Sequence, residues 1–187
     1  MLFIRKRIPV NYLFVLLLLA TPLVSSADIT FKNFKVVGAA PKYQVLTAID
    51  FELTGYLENA LKSGVVLNAR VQFRLQKHRE WWFNKETTLS TTHFQLKYHA
   101  LSRHYLLTRN DTNEHWNLSS LPSALRKLGE LRKYLLPAIK IPKDDSEYSL
   151  FAVADMSPKT LRLPLRIQSL FSDKYRLSSE GVLWPLP

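Results

Sequence analysis

Between Val65 and Leu107 the side chains alternate in a way that few folds can accommodate. Val65, Leu67, Ala69, Val71, Phe73 and Leu75 occupy one phase, while Asn68, Arg70, Gln72, Arg74 and Gln76 occupy the other. Period two over that length describes a strand with one buried face, because a helix would return its apolar residues every three or four positions. After the aromatic corner Trp81-Trp82-Phe83, a β-branched run from Thr87 to Tyr98 predicts a second strand, and Arg103 to Thr108 a third. The stretch therefore reads as an antiparallel meander whose apolar face must be covered by something else in the chain.

The flanking sequence supplies the cover. Ile29–Val37 and Tyr43–Leu53 read as strands, separated by turn residues from Gly38 to Pro41. Thr54 is placed to cap a short helix over residues 55–63, with Gly64 suited to its exit. Within the second meander strand Leu89 lies in the odd phase, but Phe94, Leu96 and Tyr98 lie in the even one. A β-bulge between Thr91 and His93 is the simplest device that moves the inward face across, and a bend that closes the sheet is its ordinary use. Glu114–Leu118 follows as a short strand, and Ser119 or Ser120 caps a helix over residues 121–136 with Leu121, Leu125, Leu128, Leu131 and Leu135 as its stripe. Tyr148–Met156, an edge strand over 165–170 and a last strand signal within 175–184 complete the chain. The expected fold is mainly β, an antiparallel β-sandwich or partly closed barrel with two packed helices (55–63 and 121–136).

Met1 to Ala27 is set apart. Arg5, Lys6 and Arg7 begin it, Tyr12 to Ala20 form an apolar centre, and Ser25-Ser26-Ala27 offers a small-residue cleavage site, the three parts of a signal peptide. The apolar run is interrupted at Asn11 and at Thr21-Pro22, short of the roughly 20 residues that span a bilayer, which favours removal over retention as an anchor. Residues 28–187 are then a single β-rich domain. Lys and Arg outnumber Asp and Glu by 26 to 15, a formal charge of +11, and there are no cysteines. The basic balance points to anionic surfaces, and the missing thiols exclude disulfides, thiolate metal sites and cysteine nucleophiles. A Gram-negative periplasm is the compartment these features fit, with peripheral association to the membrane.

Three clusters carry a resemblance. The Trp81-Trp82-Phe83 corner, the run Tyr98-His99-Ala100-Leu101-Ser102-Arg103-His104-Tyr105-Leu106, and the tail Tyr175-Arg176-Leu177-Ser178-Ser179 near Trp184 appear in that order behind a leader. Together they resemble the exported proteobacterial family catalogued as domain of unknown function 4390, whose members are often encoded beside a membrane sensor kinase of the nitrogen-regulation type. The resemblance implies an envelope or signalling connection and brings no catalytic residue with it.

Catalytic chemistry finds little support in the residues themselves. His93, His99 and His104 have no Asp, Glu or Cys beside them between Thr87 and Leu107, so no metal site is expected. Ser102 with His99 could be imagined as a nucleophile pair oriented by Asp50, Asp111 or Asp155, but the nucleophile-elbow pattern is missing. His99, Ser102 and Arg103 instead suit a polar turn between strands. Lys77, His78, Arg79, Trp81, Trp82, Phe83 and Lys85 interleave cations with rings as a single-strand nucleic-acid platform does. Export removes that partner and leaves anionic headgroups, each Lys or Arg contributing on the order of 1 kcal/mol near such a surface. The expected function is a non-enzymatic periplasmic interaction module without a cofactor. Trp81, Trp82, Arg70, Arg74, Lys77 and Arg79 are its candidate partner-binding residues, and a membrane or envelope protein such as a sensor kinase is its partner. The alternative is a carrier of a lipid or other apolar ligand held between sheet and helix.

Overall fold

A computed structural model describes residues 28–79, 83–141, 147–159 and 175–186. Trp81, Trp82, the leader and the expected edge strand over 165–170 lie outside the described residues. In chain order the elements are β1 (Ile29–Ala39), β2 (Lys42–Phe51), α1 (Gly55–Lys62), β3 (Leu67–Lys77), β4 (Lys85–His99), β5 (His104–Arg109) and β6 (Glu114–Leu118). Then follow α2 (Leu121–Leu128), β7 (Glu130–Leu135), β8 (Tyr148–Pro158), β9 (Leu177–Ser178) and β10 (Val182–Pro185).

The expected meander is present: β3, β4, β5 and β6 pair in sequence, each antiparallel to the last. On its other side β3 pairs along its whole length with β8, which in turn carries β9 and β10 on its far edge. This seven-stranded sheet faces a three-stranded one of order β1-β2-β7. The apolar phases meet between them. Leu67, Ala69, Val71 and Phe73 of β3 are all at most 2% exposed. Phe73 stacks on Tyr134 of β7 at 5.1 Å, and Phe34 of β1 meets Trp184 of β10 at 6.4 Å. Among the described residues the sheets form a sandwich and do not close into a barrel.

Both helices start where their caps predict. The Leu57 N–H donates to Thr54 Oγ1 at 3.1 Å, and Ser120 caps α2 with Pro122 in the first turn. The second helix is, however, much shorter than the expected 121–136. It stops at Leu128, and Glu130–Leu135 is strand β7. The cause is Gly129, where a Cβ would lie 1.8 Å from the Ile49 carbonyl oxygen. Only a glycine lets the helix end press against β2, and the contact is fixed by the Ile49 N–H donating to the Gly129 oxygen at 2.9 Å. The leucine stripe breaks with it: Leu131 and Leu136 are buried at 3% exposure, whereas Leu135 is 60% exposed.

The bulge in β4 also exists, a little earlier than its sequence phase suggests. Phe73 pairs Ser90 and Arg74 pairs Thr88, so Leu89 is the extra residue. Thr92, fully buried, already belongs to the new phase. A second irregularity in β7, with Lys133 at φ 55°, turns Tyr134 inward so that its hydroxyl meets Ser90 Oγ at 2.6 Å and Thr92 Oγ1 at 3.1 Å. The bulge in one sheet thus seats a ring from the other.

Candidate functional site

The polar phase of β3 projects from the outer face of the large sheet, and its register decides which groups it meets. Arg70 lies opposite Asp155 of β8 and His93 of β4, and Arg74 lies opposite Phe151 and Thr88. Arg70 Nε and Nη2 both reach Asp155 Oδ1 at 2.7 Å, a contact between residues 85 apart in sequence. Arg74 donates through Nη1 to Glu86 at 2.9 Å and through Nε and Nη2 to Gln72 at 2.8 and 2.6 Å. Its guanidinium carbon stands 6.0 Å from the centre of the Phe151 ring. Arg70 and Arg74 do share one face, as the alternation requires, but each cation is already held by a neighbour. Lys77 Nζ lies 5.6 Å from the Tyr148 ring, and Arg79 is exposed in the following loop.

At the Arg70 end the face opens into a cleft of about 470 Å³ between β3, β4 and β8. Asn68 and Arg70, His93 and Gln95, Asp155 and Ser157 line it from the strands, and Tyr175 and Arg176 close one side. The β5–β6 turn braces the β4 side of the cleft: the Asn110 N–H donates to the His93 oxygen at 2.8 Å, and the His93 N–H donates to Asp111 Oδ1 at 3.1 Å. Burial by itself would raise the Asp111 carboxyl. The hydrogen bonds from His93 and the Arg109 guanidinium outweigh it and hold the group below its ordinary value. One buried polar atom here has no partner, the Asn68 Oδ1.

The polar turn His99, Ser102 and Arg103 forms at the tip of the β4–β5 hairpin. Ser102 Oγ lies 3.2 Å from His99 Nδ1, Arg103 adopts φ 55°, and His104 Nδ1 meets the Ser102 carbonyl. No described carboxylate bonds His99. Asp50 is paired with Lys32, Asp111 with Arg109 and Asp155 with Arg70, so none of the three completes a triad. His93 lies in the cleft, away from the hairpin tip. Among the described residues no group of three His, Cys, Asp or Glu side chains could hold a metal ion.

A family model described as a domain of unknown function (DUF4390) matches residues 26–185. The chain belongs to that family. No curated protein and no solved structure matches it.

The DUF4390 family description assigns no activity, so the chemistry available to this chain rests on its own geometry. A second depression on this DUF4390 domain, of about 570 Å³, runs between α2 and the end of β2. Ile49, Phe51, Leu53, Leu121 and Leu125 give it apolar lining, and Asp50, Glu52, Glu58 and Glu130 together with Lys32 and Arg126 give it charged lining. Sequence reasoning found Arg70, but it named His93, Asp155, Tyr175 and Arg176 in other connections and did not bring them together with it. Asp155 had a readable signal, the lone charged residue in the outward phase Ser149, Phe151, Val153, Asp155 of its strand. Asn68 had none, because its burial comes from strands on both sides.

Proposed function

We propose that this protein is an exported, non-enzymatic interaction module of the cell envelope, docking through the outer face of its large sheet. The observation that carries the reading is the arrangement of Arg70 and Arg74 on the central strand, each guanidinium fixed by cross-strand or same-strand partners. A partner meeting such a face loses little side-chain freedom in ordering it, and two planar forks present directional donors. Among the described residues no carboxylate joins the hairpin pair His99 and Ser102, and the reading therefore rests on binding. Export in this reading rests on the three-part leader, Met1 to Ala27. The partner in this reading is a membrane or envelope protein, a sensor kinase being the kind the family resemblance suggests. Lys77 and Arg79 provide an auxiliary contact with anionic headgroups.

A photo-crosslinking residue placed at Gln72, between the two arginines, tests the docking face in intact cells. The expected result is one discrete adduct in the membrane fraction, lost in Arg74→Glu and not reproduced from Val37 on the opposite sheet. Equal adducts from both faces, indifferent to Arg74→Glu, would overturn the proposal.

The carrier of an apolar ligand remains a second reading because the α2–β2 groove gives it a place to act. Native mass spectrometry of freshly purified protein separates the two: a lipid-sized adduct supports the carrier, and a bare mass retires it.

A further inference from the structure

The cleft beside Arg70 presents hydrogen-bonding groups in an order that neither a docking face nor an anion trap needs. Both Arg70 nitrogens that reach Asp155 converge on Oδ1. Asp155 Oδ2 and Arg70 Nη1 have no hydrogen-bond partner among the described residues, which leaves one acceptor and one donor open on the ion pair. One strand position along, the buried Asn68 Oδ1 is a further acceptor with nothing donated to it. A hydroxyl both donates and accepts, so two hydroxyls on adjacent carbons can answer the carboxylate and the guanidinium together. A ligand donor on the Asn68 side would also relieve a group whose burial without a hydrogen bond is costly.

Charge and shape narrow the ligand further. Asp155, only 15% exposed at its side chain, offsets Arg70 and would repel a phosphate brought against its open oxygen, so the exposed Arg176 at the edge is the cation that the phosphate control must answer. Tyr175 offers a ring at the wall, held by Tyr56 at 6.1 Å, against which the apolar C–H face of a sugar can pack. The volume of about 470 Å³ lies within the usual range for a small-molecule site, and the polar lining excludes an acyl chain.

We infer that this cleft is a binding site for a neutral pyranose ring, with Asp155 and Arg70 taking a vicinal diol and Asn68 a further hydroxyl or amide donor. The ring can be a free sugar or the terminal residue of an envelope glycan. The site shares Arg70 with the docking face but goes beyond that proposal and stands without it.

The test uses the purified full chain and nuclear magnetic resonance of the Asn68 side-chain amide and the Arg70 Nε–H. Glucose, galactose, mannose and N-acetylglucosamine are titrated as free sugars, the N-acetylglucosamine tetramer as a glycan end, and inorganic phosphate as the anion control. Saturable shifts at both groups with a sugar and not with phosphate are expected. A response to the tetramer alone assigns the glycan end, and a response to a monosaccharide assigns the free sugar. Asp155→Asn should weaken binding at least about tenfold, the scale of one lost charged hydrogen bond. Asn68→Leu should weaken it while leaving the ion pair in place, which keeps the test decisive where Asp155→Asn does not fold. Arg74→Glu should leave sugar binding unchanged whatever it does to docking. Shifts that map elsewhere, an equal response to phosphate, or no response to any sugar would overturn the inference.

Discussion

Replacing Gly129 with alanine sets two physical effects against each other, and the sign of the result decides between them. Gly129 follows α2 at φ −78° and ψ −3°, a conformation alanine adopts without backbone strain. Helix propensity alone then favours alanine by about 0.8–1 kcal/mol and would extend the helix toward Glu130. Against this, the new Cβ would stand 1.8 Å from the Ile49 oxygen and 2.8 Å from its carbonyl carbon, both backbone atoms of β2. Overpacking of that kind costs about 1–3 kcal/mol, because neither strand nor helix end can yield independently. Separating the two also breaks the bond from the Ile49 N–H, and an amide left unpaired beside a residue 4% exposed costs about 1–3 kcal/mol more. The net expectation is a loss of about 1–5 kcal/mol, which at a denaturant slope of about 2 kcal/mol/M lowers the urea midpoint by roughly 0.5–2.5 M. Equilibrium unfolding followed by tryptophan fluorescence reads this directly. A midpoint that holds or rises in Gly129→Ala would refute the close approach of α2 to β2 and restore the longer helix.

Two further expectations follow from the packing. Tyr134→Phe keeps the ring on Phe73 but strips the hydroxyl from Ser90 and the fully buried Thr92. It should cost about 1–3 kcal/mol, or roughly 3–10 °C in Tm, and an unchanged Tm in calorimetry would count against the inter-sheet hydrogen bonds. Asp111 has a folded pKa below its ordinary 3.8, so its contribution is fully present above that value and is lost as pH falls through the folded pKa. The stability difference between the wild-type chain and Asp111→Asn should therefore be full near neutrality and shrink below pH 3.8, whereas a pH-independent difference would contradict the His93 and Arg109 contacts.

The meander was legible because each of its strands carries its own evidence. Alternation from Leu67 to Leu75 is a local property, and the same local reasoning placed β6 and both helix starts. What failed was the end of α2, where leucines at helical spacing outvoted a single glycine. Leu131 and Leu136 are buried as strand-phase and connecting residues instead, so similar hydrophobicity served a different period. Gly129 was the available signal, since a glycine after Arg126-Lys127-Leu128 suits a helix terminus. The bulge was recognisable from the phase change, but its position depends on pairing with β3, which puts it at Leu89 rather than between Thr91 and His93.

The candidate site was less legible than the fold because its defining contacts are cross-strand. Arg70 and Arg74 could be assigned a common face from period two, but composition, at +11, suggested an unpaired cationic stripe. The register of β3 against β8 and β4 supplies the counter-charges, bringing Asp155 to Arg70 and Glu86 within reach of Arg74. Where Arg70 and Arg74 each meet a carboxylate, the strand attracts anions weakly and discriminates instead by the direction of its remaining donors and acceptors. In the proposed reading the excess positive charge of the chain acts elsewhere, as long-range attraction toward an anionic surface rather than as the recognition step. Recognition falls to the groups that pairing leaves open, which on this face are concentrated where Asn68, Arg70 and Asp155 meet.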